Sequence, residues 1–89
     1  MIEDRDRQII IEMAKRFGVK RVVLFGSSLC SDRESRDIDI GVEGISEKDF
    51  FTFYGELMYA LSKPIDIVDL SIKSRFVELI EQEGISLYA

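Results

Sequence analysis

With 89 residues and a net charge of −5, the chain is the size of one small domain, and that charge excludes a nucleic-acid-binding face built from clustered Lys and Arg. A hydrophobic share of 46%, with six Phe and three Tyr, is enough for a packed core and excludes disorder. Histidine is absent and Cys30 stands alone, which excludes His-based zinc sites, Ser-His triads and an internal disulfide. The lone cysteine fits a reducing cytoplasm. No apolar stretch approaches the ~20 residues that span a bilayer, and residues 1–7 are too charged for a signal peptide, so no membrane partner is expected.

In chain order, Ile9, Ile10, Met13, Ala14 and Phe17 recur at helical spacing and predict a helix over residues 3–17, stopped by Gly18. Residues 21–25 are β-branched and compact and predict a buried strand. Gly26-Ser27-Ser28 breaks it, with serines able to cap a short helical turn, and residues 31–36 are wholly polar and predict a loop. Residues 37–42 alternate Asp-Ile-Asp-Ile, so the aspartates share one strand face and the isoleucines the other. Ser46 with Asp49 resembles a capping box. The helix it opens carries Phe50, Phe53, Tyr54, Leu57, Met58 and Leu61 inward, and Lys63-Pro64 ends it. Residues 65–70 predict a further strand. Ser71 caps a last helix through Phe76, Leu79 and Ile80, which Gly84 stops, and residues 85–88 add a short edge strand. The class is α/β (α+β), a small sheet flanked by helices in a single domain over residues 1–89.

Two features carry chemistry. Asp37 and Asp39 project from one strand face with β carbons roughly 6–7 Å apart, an arrangement that repels unless a cation lies between them. Mg²⁺ takes hard oxygen ligands, is held by one or two carboxylates plus substrate phosphates, and keeps several waters. Upstream, Gly26 lets backbone approach a ligand closely, and with Ser27 before a helical turn it makes a phosphate cradle. A nucleoside triphosphate with Mg²⁺ fits both ends; a plain strand-to-turn Gly-Ser and the polar face of an edge strand are the structural alternative. Asp66, in the run Pro-Ile-Asp-Ile-Val-Asp-Leu, is a third acid on another strand, able to bridge an ion or take the proton of an attacking hydroxyl. Asp66 and Asp69 are three apart and face opposite sides of a regular strand. Asp66 sits mid-run and is the better candidate; Asp69 is nearer the end, suited to a polar terminus.

The stretches LFGSSLCSDRESRDIDIGV and PIDIVDL resemble the minimal nucleotidyltransferases of the DNA polymerase beta superfamily, whose signature is Gly-Ser, a spacer, Asp-x-Asp and a third Asp on a later strand. The resemblance extends to the leading helix and to the closing FVELIEQEGISLYA. It implies the polymerase-beta-like fold with a small mixed β-sheet. Residue by residue, it implies Gly26 and Ser27 as the nucleotide-phosphate turn, and Asp37, Asp39 and Asp66 as catalytic metal ligands for Mg²⁺, two ions in all.

The same resemblance implies a reaction in which an acceptor hydroxyl attacks the α-phosphorus of ATP and pyrophosphate leaves. Small stand-alone members are similar to the antitoxin half of HEPN–MNT toxin–antitoxin pairs, which implies AMP transfer to a tyrosine of a HEPN partner protein. Two other readings stay open. One is a non-catalytic antitoxin that neutralises its partner by contact; the other is a small-molecule nucleotidyltransferase acting as a homo-oligomer. Phe50, Phe51, Phe53 and Tyr54 crowd one helix and serve either a thick aromatic core or a partner or self-association face.

Overall fold

A computed structural model describes residues 2–26 and 37–89. Its elements run α1 (Asp4–Arg16), β1 (Arg21–Phe25), β2 (Ile38–Glu43), α2 (Glu47–Ala60), β3 (Ile65–Asp69), α3 (Arg75–Glu83) and β4 (Ile85–Tyr88). The strands form one sheet in the order β3-β2-β1-β4. β1 pairs antiparallel with both β2 and β4, while β2 and β3 run parallel, so the sheet is mixed, as expected. The parallel pair follows from connectivity, because α2 bridges β2 to β3 and returns the chain to the same end of the sheet.

The two sheet faces bury different clusters. Ile38, Ile40 and Val42 point to one face and pack with Ile10, Met13 and Ala14 of α1 and Phe53 and Leu57 of α2. Phe17 meets Phe53 edge-to-face at 5.5 Å between ring centroids. Val23 and Leu70 point to the other face, under Val77 and Ile80 of α3. The strict period of two in β2 therefore feeds one core with isoleucines and leaves Asp39 and Gly41 on the α3 side.

Local signals explain most boundaries. Gly18 follows α1 at φ 69°, and its N–H donates to the Lys15 carbonyl, the left-handed stop that glycine supplies without strain. Ser46 caps α2, its Oγ accepting from the Asp49 N–H at 3.2 Å. Two expectations are corrected. The N-cap of α3 is Ser74, whose hydroxyl accepts from the Val77 N–H, whereas the Ser71 N–H and hydroxyl both donate to Asp69 Oδ1 and close a turn. Met58 is not inward but 62% exposed, because the buried stripe runs through Phe53, Leu57 and Leu61 and Met58 lies about 100° around the helix from Leu57. Phe76 and Leu79 are likewise exposed, and Val77 and Ile80 carry the packing of α3.

Asp6 is the buried acid among the described residues. It lies in the first turn of α1, where a carboxylate suits the helix dipole, and accepts from the Ser62 N–H at 3.1 Å and from the Ser62 hydroxyl at 2.5 Å. It thereby ties the start of α1 to the end of α2. Asp6→Ala leaves both Ser62 donors without that acceptor and is expected to cost about 1–3 kcal/mol, read as a lower urea midpoint with an unchanged slope.

Candidate functional site

The acidic end of the sheet is built by three neighbouring backbone segments. β1 delivers Phe25 opposite Asp39, and Gly26 follows at φ 69°. A Cβ on Gly26 would stand 2.5 Å from Asp39 Oδ2, so the glycine is required both by its backbone conformation and by the carboxylate beside it. Across the parallel pair, Asp39 is the register partner of Asp66. Ile38 and Ile40 flank Asp39 and enter the main core, as Ile65 and Ile67 do around Asp66, so both carboxylates issue from the α3 face. Neighbouring strands place their β carbons roughly 5 Å apart. Asp39 is half-buried and Asp66 exposed. One step further along the same face, Leu70 covers Gly41 so closely that a Cβ there would meet its methyl groups, and the apolar packing begins.

Asp37 lies one residue before β2, exposed, because the ladder with β3 starts at Ile38, whose N–H donates to the Pro64 carbonyl. Of the Asp37/Asp39 pair, only Asp39 is a strand residue, which corrects the expected start of the strand. Asp69 pairs with Val42 and spends its carboxylate on Ser71, away from Asp39. Ser27 and the expected helical turn and loop after it lie outside the described residues. Among the described residues no three His, Cys, Asp or Glu side chains close on one point as a ready metal cage. Two adjoining carboxylates beside a glycine nonetheless fit Mg²⁺, which takes a small hard-oxygen set and completes its shell with phosphate and water.

Sequence reasoning gave Tyr54 to an aromatic core or to a partner or self-association face. Its hydroxyl also donates to the Ile65 carbonyl at 3.1 Å and stands 3.5 Å from Asp66 Oδ1. No local pattern announces this contact; it follows from the edge position of β3.

At the opposite end of the same face, Arg21 pairs with Glu43 at 2.6 Å across β1 and β2 and with Glu81 of α3, holding α3 onto the sheet. Its guanidinium pulls the carboxyls of Glu43 and Glu81 below the usual 4.5, and they in turn raise its own pKa further. A depressed carboxyl contributes stability that is present above its unfolded pKa and lost as pH falls through the folded value. The urea midpoint is thus expected to hold from pH 7 to 5 as far as these groups are concerned, and to fall below about 4.5. Arg21→Met should flatten that acid limb.

The family described as "Polymerase beta, Nucleotidyltransferase" matches residues 7–89. The chain belongs to the polymerase beta nucleotidyltransferase family. Among solved structures, this nucleotidyltransferase domain resembles a minimal nucleotidyltransferase, with 28% identity, 89% of this chain and 86% of that chain covered, and a TM-score of 0.70. It also resembles a chain of the MNT antitoxin complex with a tri-AMPylated HEPN toxin from Shewanella oneidensis, at 23% identity, 94% and 70% coverage and a TM-score of 0.73. A chain of a toxin–antitoxin structure with AMP-PNP matches at 21% identity, 98% and 74% coverage and a TM-score of 0.75. No curated protein matches the sequence. No helix among the described residues of the nucleotidyltransferase domain is long and apolar enough to cross a membrane.

Proposed function

We propose that this nucleotidyltransferase moves AMP from ATP to a tyrosine hydroxyl of a HEPN-type partner protein and so acts as an antitoxin. The observation that carries the reading is the contiguity of Gly26, Asp39 and Asp66 at one end of the sheet. Support for the substrate comes from the likeness to the AMP-PNP structure, and for the acceptor from the likeness to the complex with an AMPylated HEPN toxin.

In this reading Gly26 and Ser27 receive the phosphates, since a residue without a side chain lets the main chain approach them. Asp37, Asp39 and Asp66 hold Mg²⁺, which supplies neutralisation of the phosphate charge when bound. Asp66, the most open of the strand carboxylates, takes the proton of the attacking phenol. The phenolic oxygen bonds to the α-phosphorus, the bond from that phosphorus to the bridging oxygen breaks, and pyrophosphate leaves with that oxygen. Positioning of the two reactants is the protein's main contribution.

A second reading, neutralisation by contact alone, draws on the apolar surface of α2, where Phe51 is 79% and Tyr59 95% exposed. Incubation of the chain with α-labelled ATP, Mg²⁺ and the product of the neighbouring reading frame separates the two. Label on the partner, lost on chelation, supports transfer. A stable unlabelled complex with a silenced partner supports contact alone.

A further inference from the structure

Tyr54 connects the helical layer to the acidic end of the sheet. Its ring packs against the main core and stands edge-to-face with Phe50 at 6.1 Å between centroids. Asp66 issues from the opposite face of β3, so across a central strand no helix residue on the core side could reach it. β3 is an edge strand, and the Tyr54 side chain rounds that open edge. The hydroxyl is anchored on the main chain, donating to the Ile65 carbonyl at 3.1 Å, with Asp66 Oδ1 at 3.5 Å.

Asp66 is exposed and on an edge strand, so among the described residues its side chain is not held by burial in the core. A carboxylate that must meet a cation and an acceptor hydroxyl loses effectiveness when it samples several rotamers. We infer that Tyr54 is a positioning residue for the transfer reaction, its hydroxyl fixing the direction of the Asp66 carboxylate beside Asp39. The inference rests on the nucleotidyl-transfer reading of this site. The phenol acts through Asp66 and not on phosphorus, because its ring is held by packing and its one proton is shared between the Ile65 carbonyl and Asp66 Oδ1. Groups that orient metal-binding carboxylates in this way contribute about tenfold or more to metal affinity or activity.

Tyr54→Phe removes the hydroxyl and keeps the ring. Calorimetry with a non-hydrolysable ATP analogue is expected to show Mg²⁺-dependent binding about tenfold weaker than in the parent. In an Asp66→Asn background the same change should produce no further loss, which a merely structural role would not predict. Equal losses in the two backgrounds, or undiminished binding by Tyr54→Phe, overturn the inference while leaving the transfer reading standing. An AMP adduct on Tyr54 after incubation of the parent with ATP and Mg²⁺, found by peptide mass spectrometry, also overturns it, since the phenol would then be an acceptor. A parent that binds no nucleotide in the presence of Mg²⁺ overturns the transfer reading itself.

Discussion

Asp39→Asn is expected to reduce nucleotidyl transfer by on the order of 10³-fold or more while leaving the protein folded. Among the described residues, Asp39 is the carboxylate that adjoins both halves of the site, lying against Gly26 on one side and in register with Asp66 on the other. Asparagine keeps its shape beside Gly26 but removes the charge a divalent cation needs. It also removes a like charge from beside Asp66, so the melting midpoint should stay within about 5 °C of the parent. Asp66→Asn should lose transfer in the same way, whereas Asp69→Asn should retain it, because the Asp69 carboxylate is occupied by the Ser71 N–H and hydroxyl. Transfer to the labelled partner, followed beside circular dichroism of each variant, checks all three. An Asp39→Asn protein that unfolds would make the aspartate structural. An active one would place the chemistry elsewhere.

The elements of this fold could be read from the chain where a single local rule governs them. The alternation Asp-Ile-Asp-Ile puts apolar side chains on one face whatever strand lies next door, so the direction of Asp39 followed from period alone. The left-handed stop at Gly18 and the cap at Ser46 are equally local. Where two candidates satisfied the same rule, tertiary context decided. Ser71 and Ser74 can both cap a helix, but the turn closed by Asp69 occupies Ser71. Met58 has the right residue type for the inward stripe of α2, yet its angular position leaves it on the rim. Pairing partners are non-local, so neither the match of Asp39 with Asp66 nor the edge position of β3 is written in any short segment. The contact of Tyr54 with Asp66 depends on that edge and was invisible for the same reason. The readings of Ser27 and of the polar loop fall on residues outside the described ones.

Gly26→Ala is expected to weaken Mg²⁺-dependent ATP binding at least tenfold, well beyond what its loss of stability explains. Two costs arise at this position. The first is conformational: at φ 69° an L-residue carries a penalty of about 1–2 kcal/mol. The second is steric and falls on the site. The new Cβ would lie 2.5 Å from Asp39 Oδ2, 3.2 Å from its Cγ and 3.3 Å from its Cβ. Rotating the carboxylate relieves the first of these contacts but not the last, so Asp39 must both turn away and shift with its strand. Gly18→Ala separates the two costs, because Gly18 has the same φ of 69° and nothing within 4 Å of a Cβ. Gly18→Ala should therefore lose about 1–2 kcal/mol and Gly26→Ala that plus the cost of moving Asp39, against the roughly 5–15 kcal/mol typical of a small domain, and both should remain folded. Gly18→Ala should bind the nucleotide as the parent does, and Gly26→Ala should not. Matched calorimetric titrations and urea curves give the comparison. Equal nucleotide affinity in the two variants would reduce Gly26 to a turn residue and remove the phosphate approach from the mechanism.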